Sequence, residues 1–219
     1  VTERRFIRRG EAGASERGAK PSSRKRTDDK RERILRAAVK VFAKKGFYAS
    51  RVSEIAKAAG VADGTIYLYF DSKDDVLESL FEDRTERLLI ALRTELAKEP
   101  DPPARVRRLI ELQLGLLDGQ RELAEVITIN LRQSTRLLRQ YGSKRFLEYL
   151  ELMASVVSDG QKSGHFRDDL SARVTARALF GALDGLALTW ALGDGRTGGL
   201  EKAASQLAEL WIRGLSPKG

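Results

Sequence analysis

The sequence predicts an all-α protein of about nine helices, and three observations predict it. Apolar residues recur at spacings of three and four along most of the chain, as in helices that bury one face. Strict apolar/polar alternation, which a half-buried strand requires, is nowhere sustained. Glycine or proline separates successive periodic stretches, at Gly46, Gly60, Gly119, Gly164 and the group Pro100, Pro102 and Pro103, each a natural end for a helix.

In chain order, residues 1–27 are rich in Arg, Gly and Ser with no sustained period, so a disordered basic arm is expected there. The first helix is expected from Asp28 or Asp29, capped by Thr27 or Asp28, with Ile34, Ala37, Ala38, Val41 and Phe42 on its apolar face and Gly46 at its end. Ser50 is placed to cap a short second helix over residues 52–59, which Gly60 stops. A third segment is expected over 63–69. The Asp71-Ser72 pair then reads as the cap of a long helix reaching about Leu96, whose stripe is Val76, Leu77, Leu80, Phe81, Leu88, Leu89 and Leu92. Five more helices are expected at about 103–118, 121–133, 135–163, 169–192 and 199–214. This divides the chain into an arm (1–27), a small three-helix domain (28–73) and a larger helical domain (74–219).

Charge is distributed along the same boundaries. Of the net charge of +9, residues 1–27 carry +6, residues 28–73 carry +4 and residues 74–219 carry −1. A basic end on a near-neutral body is the electrostatic footprint of nucleic-acid binding, or else a solubilising tail. The chain has no Cys and one His, His165, on a polar loop. Disulfides, zinc fingers and Cys/His catalysis therefore lack their residues. No paired carboxylates interrupt an apolar run to suggest acid/base work, so neither catalytic residues nor a metal site is expected, nor any bound cofactor. With no apolar run near the roughly 18 residues that span a bilayer, the expectation is a cytoplasmic protein away from membranes.

The spacing within residues 50–70 carries the functional argument. Ala56 precedes Gly60 by four residues, and Ile66 follows Gly60 by six. Two helices crossing steeply over a short turn need a small residue at their contact, a glycine with positive φ and an aliphatic wedge. Val52, Ile55, Val61 and Phe70 complete that core, leaving Asp63, Gly64, Thr65, Tyr67 and Tyr69 to face outward. A helix presented this way can enter a major groove of double-stranded DNA.

Residues 31–77, RERILRAAVKVFAKKGFYASRVSEIAKAAGVADGTIYLYFDSKDDVL, closely resemble the DNA-binding domain of TetR-family repressors. The motifs are Ala37-Ala38 with Phe42, Gly46-Phe47, Ile55-Ala56, Ala59-Gly60-Val61, Gly64-Thr65-Ile66-Tyr67 with Phe70, and Lys73. Tyr69 stands where many relatives carry His. The resemblance implies that Ser50, Tyr67, Tyr69 and Lys73 contact phosphates, while Ala62, Asp63, Gly64 and Thr65 lie nearest the base edges. Arg51 and the arm residues Lys25 and Arg26 are either further phosphate partners or solvated charges.

In the larger domain, Leu-Arg-Gln occurs twice in LRQSTRLLRQY, residues 131–141. If helical, this aligns Arg132, Arg136 and Arg139 beside apolar neighbours, as a solvated face or as a phosphate site. That segment, GVADGTIYLYF and Thr189-Trp190 resemble the FadR subgroup of TetR-like regulators, which repress fatty-acid degradation genes and release DNA on binding long-chain acyl-CoA. The resemblance implies a repressor that binds a palindromic operator as a dimer, with long-chain acyl-CoA as its effector. It implies an apolar tunnel for the acyl chain and arginines for the CoA phosphates, Arg132 and Arg139 among them; Arg136, Gln133, Ile127, Leu131, Phe146, Leu150 and Trp190 are the other ligand-binding residues expected. Two other readings remain open: a TetR-like regulator of a different lipophilic molecule, and an acyl-CoA-handling enzyme or carrier. A homodimer is expected through helices 169–192 and 199–214, where Gly181, Ala182, Gly185 and Ala187 alternate with large apolar residues.

Overall fold

A computed structural model describes residues 23–130, 144–193 and 199–217, with side chains from Thr27 onward. Among these residues there are helices and no strands. In order they are α1 (Ser23–Lys45), α2 (Val52–Ala59), α3 (Asp63–Ile66), α4 (Lys73–Leu96), α5 (Pro102–Gly115), α6 (Arg121–Glu125, continued by a wide π turn, Val126–Asn130), α7 (Lys144–Lys162), α8 (Ala172–Leu192) and α9 (Gly199–Leu215).

Several ends follow from local chemistry. Ser72 caps α4, its hydroxyl accepting from Asp75 N at 3.1 Å, while the Asp75 carboxylate accepts from Asp71 N at 2.8 Å. At α5 the Asp101 carboxylate accepts from Ala104 N at 2.8 Å, with Pro102 and Pro103 in the first turn, where no amide partner is needed. Gly60 ends α2 at φ +65°, a backbone region that an L side chain rarely adopts.

Three expectations are corrected. The first helix begins at Ser23 and runs through Thr27 and Asp28, which therefore do not cap it. Pro21 is the last breaker before it, and the Arg, Lys and Glu residues that follow are good helix formers. The cap of α2 is Arg51 and not Ser50; Glu54 reaches back to accept from Arg51 N at 3.1 Å. The expected regular helix 121–133 opens into the π turn after Glu125. There the Thr128 hydroxyl donates to Ala124 O at 2.7 Å, competing for the carbonyl that an α-turn would use.

Two cores result. The first is built by α1–α3 and the start of α4 around Phe42, Ile55, Ile66, Phe70 and Leu80, and it also takes in Leu123 and Val126 of α6. The second is built by α4, α5, α7, α8 and α9, with α9 packed on α5 and α8 on α7. The arginine segment 131–143, with Leu131, Arg132, Gln133, Arg136 and Arg139, lies outside the described residues. Among the described residues no helix is long and apolar enough to cross a membrane.

Candidate DNA-binding surface and effector cavity

The α2–turn–α3 unit is assembled as its spacing demands. Ala56 is wholly buried and Ile66 nearly so, at 0% and 1% exposure. Val61 N donates to Ala56 O at 3.0 Å across the Gly60 turn. Arg33 of α1 donates to Ala59 O at 2.6 Å and Gly60 O at 3.3 Å, satisfying carbonyls that the end of α2 leaves open. Ala62, Asp63, Gly64 and Tyr67 are exposed and Thr65 half-buried. A Cβ built on Gly64 meets nothing within 4 Å, so the fold itself does not require glycine there.

The α3 helix is a single turn, shorter than the expected 63–69. Tyr69 N and Phe70 N both donate to Ile66 O, at 3.0 Å each, because Phe70 must turn back into the core, where it is 2% exposed. Tyr69 is half-buried against that core. Two further apolar side chains are exposed on this surface, Tyr48 at 70% and Leu68 at 80%.

Ser50 and Lys73 point inward. The Ser50 hydroxyl, 3% exposed as a residue, donates to Gly46 O at 2.6 Å. The Lys73 ammonium donates to Phe47 O at 2.7 Å, Ser50 O at 2.9 Å and Tyr48 O at 3.2 Å, and sits 4.5 Å from the centre of the Phe47 ring. Its three protons are thus spent on the turn between α1 and α2. Arg51 is exposed beside that turn. Glu54 pairs with Lys45, and the Lys45 hydrogen bond, with that from Arg51 N, holds its carboxyl below the ordinary range.

The same turn is held from the other half of the protein. Phe47 N donates to Asn130 Oδ1 at 2.8 Å, with Asn130 and Phe47 only 2% and 3% exposed. Arg87 of α4 makes a second link, pairing with Glu32 of α1 and, at 2.9 Å, with Asp83.

Between α4, α5, α6, α7 and α8 lies an apolar cavity of about 240 Å³. Phe81, Leu88, Leu117, Leu123, Phe146 and Phe180 form much of its wall, and Arg84 and Arg87 lie along the α4 side. Of the residues expected around a ligand, Ile127 and Phe146 line this cavity. Leu150 is buried in the core and Trp190 packs on the core's edge and over Gly199; neither belongs to the lining. The remaining five expected residues lie outside the described segments. Arg84, Arg87, Gln113, Tyr149 and Asp184 line it and were not anticipated. A signal existed for Arg84, a cation four residues before Leu88 and three after Phe81, inside the apolar stripe of α4.

One segment touches both sites. Leu123, Ile127 and Thr128 face the cavity, while Val126 is buried in the DNA-binding core and Asn130 holds Phe47. Among the described residues no cluster of three His, Cys, Asp or Glu side chains is arranged to hold a metal ion. A basic helix-turn-helix unit wedded to a helical body around an apolar cavity defines a ligand-responsive DNA-binding regulator. The comparisons with known proteins agree. Residues 34–80 match the model for bacterial regulatory proteins of the tetR family, and residues 81–214 match that for the C-terminal region of YsiA-like proteins. The chain belongs to the TetR family of transcriptional regulators. It is 34% identical to the fatty acid metabolism regulator protein of Bacillus subtilis over 185 residues, 84% of this chain and 95% of that one. The structure of Bacillus subtilis FadR in complex with stearoyl-CoA superimposes with a TM-score of 0.78 at 34% identity, over 84% of this chain and 98% of that one. FadR from Bacillus halodurans gives the same TM-score, identity and coverage.

Proposed function

We propose that the protein is a dimeric repressor of fatty-acid degradation genes that leaves its palindromic operator when long-chain acyl-CoA fills the cavity. The observation that carries this reading is the shared segment Arg121–Asn130, one face of which lines the cavity while the other is built into the DNA-binding unit. An acyl chain pressing on Leu123 and Ile127 displaces Val126 and Asn130, and with them the turn at Phe47. The similarity to a regulator solved with stearoyl-CoA supports the choice of ligand. The protein acts by binding, without catalysis, and in the cytoplasm, at the nucleoid.

On DNA, Ala62, Asp63, Gly64 and Thr65 approach the base edges, and Tyr67, Tyr69 and Arg51 contact phosphates. Ser50 and Lys73 act one step back, by holding the turn that presents Tyr48 and Arg51. The dimer forms through α8 and α9. Val174, Leu192 and Leu210 are exposed there, and Gly181 and Gly185 have open space over their Cα atoms, so the partner's helices approach closely. The CoA phosphates are assigned to Arg132, Arg136 and Arg139, with Arg84 and Arg87 on the cavity's α4 side.

Two recognition helices read successive major grooves only at about 34–36 Å separation, so a ligand that favours another spacing expels DNA. Linkage demands the reciprocal effect. Operator binding titrated in parallel with stearoyl-CoA, stearate and CoA tests this. Release by stearoyl-CoA alone, with operator lowering acyl-CoA affinity by the same factor, is the expected result. Equal acyl-CoA affinity for free and operator-bound protein overturns it.

A further inference from the structure

The cavity is apolar except for a few side chains, and most of those are already engaged. Thr85 and Thr128 donate their hydroxyl protons to carbonyls of their own helices, Phe81 O at 2.9 Å and Ala124 O at 2.7 Å. Tyr149 of α7, 2% exposed, donates to Gln113 Oε1 of α5 at 2.5 Å. Two side chains are exceptions: Arg84, whose Nε is buried without a hydrogen-bond partner, and Gln113, because that bond occupies only its oxygen. Its NH₂ group makes no hydrogen bond among the described residues, although Gln113 lines the cavity.

Geometry fixes where that group points. A primary amide is planar, with oxygen and nitrogen on opposite arms of one carbon, so anchoring Oε1 on Tyr149 orients the NH₂ arm away from it. The anchor is stiff, since the Tyr149 ring packs against Phe146 and Phe180, with centroids 6.0 and 6.1 Å away. Burial pushes the Tyr149 hydroxyl well above its ordinary range, and the Asp184 carboxylate adds to this against the opposing Gln113 bond. Tyr149 is therefore protonated at neutral pH, and its hydroxyl holds the Gln113 oxygen. Gln113 is half-buried, so its NH₂ group can be hydrated while the cavity is open; a ligand that displaces that water must offer an acceptor in its place or leave the donor unpaired.

We infer that the Gln113 amide donates to the carbonyl oxygen of an acyl thioester, making Gln113 a specificity residue and Tyr149 its positioning residue. The inference rests on the acyl-CoA reading of the cavity and deepens it, because it says which atom of the ligand is read. A neutral carbonyl suits the site. Charge alone does not separate this carbonyl from a free carboxylate, since the lining holds Arg84 and Arg87 as well as Asp184; the amide reads the neutral oxygen by its hydrogen bond.

The test compares stearoyl-CoA with S-octadecyl-CoA, the thioether of the same chain that lacks the carbonyl, by calorimetric binding to the full-length protein. Wild type is expected to prefer the thioester on the order of tenfold, the loss typical when a built hydrogen bond has no partner. Gln113→Leu is expected to bind both CoA derivatives equally, near the wild-type affinity for the thioether. Tyr149→Phe, which frees the amide to rotate, is expected to keep only part of the preference. Equal binding of the two by wild type overturns the inference, and this comparison needs no variant to fold. A preference retained in Gln113→Leu overturns it as well. If neither CoA derivative binds or releases operator, the acyl-CoA reading itself fails, a result distinct from equal and tight binding of both.

Discussion

The two halves of the molecule use apolar surface in opposite ways. In the DNA-binding unit Phe42, Ile55, Ile66 and Phe70 fill their core, each at most 2% exposed, and Ala56, Gly60 and Ile66 set the crossing of α2 and α3. In the effector half Phe81, Phe146 and Phe180 stand around about 240 Å³ of open space. A unit that reads a groove needs one geometry, which tight packing secures. A unit that admits a ligand must leave contacts unmade, and it bears that cost through the packing of α4, α5, α7 and α8 around the cavity, with α9 packed on α5. The contrast teaches that the rigid half changes state as a body, through the few residues by which the effector half holds it.

The largest effect should come from emptying the filled core. Phe42→Ala is expected to cost about 3–5 kcal/mol and to abolish operator binding, as urea unfolding and a band-shift assay would show. Phe180→Ala, beside space that is already open, should cost less because one side of that ring has fewer neighbours to lose. A Phe180→Ala variant as unstable as Phe42→Ala breaks the comparison.

Next comes the connection between the halves. Asn130→Ala leaves the buried Phe47 amide without its acceptor, and an orphaned group of this kind costs about 1–3 kcal/mol. The expected outcome is weaker operator binding, measured by fluorescence anisotropy, with stearoyl-CoA affinity nearly unchanged. Were Asn130→Ala to bind operator like wild type and still respond to ligand, the coupling would run elsewhere, through α4 and the Arg87–Glu32 pair.

Smaller and more diagnostic effects belong to the DNA face. Tyr67→Phe should weaken specific and random DNA alike, by about tenfold or less, and Arg51→Ala should reduce the slope of log affinity against log salt by about 1. Substitution of Gly64 or Thr65 should instead change preference among sites. Lys73→Ala should lower thermal stability together with affinity, because its protons are spent on Phe47, Tyr48 and Ser50; lost affinity with unchanged stability would return it to a direct phosphate contact.

The smallest effect is set by pH. Glu54 is held below the ordinary glutamate value of 4.5, chiefly by its hydrogen bond from Lys45. A depressed carboxyl contributes stability that is present above that value and lost as the pH falls through the folded one. Glu54→Gln should therefore flatten the acid limb of a denaturation curve slightly and leave neutral pH almost untouched, since the pair is exposed and screened. A large change at pH 7 would mean that Glu54 supports the α2 cap more than its charge.

Much of this was legible in the chain. Periodicity marked the helices, and Asp71-Ser72 and the paired prolines marked the α4 and α5 starts, because capping is settled within a few residues. The α2–α3 core was legible for the same reason, since Ala56, Gly60 and Ile66 meet across one turn. Ser50 and Lys73 show the boundary of that legibility. Their polarity was plain, but the Ser50 hydroxyl is taken by the carbonyl of Gly46, four residues back, and the Lys73 ammonium by carbonyls 23 to 26 residues away, so which way each faces depends on how the turn between α1 and α2 folds and packs.

What the sequence by itself determined was therefore the helical class, the helix-turn-helix unit and the family to which the chain belongs, all carried by contacts between near neighbours. The tertiary structure alone decided the cavity and its readers. Arg84, Gln113, Tyr149 and Asp184 come from four helices spread over 101 residues, and Asn130 meets Phe47 across 83. A period of 3.6 tells which face of a helix is covered. It does not tell what stands opposite that face, nor whether the space between is filled, because both depend on how several helices pack at once.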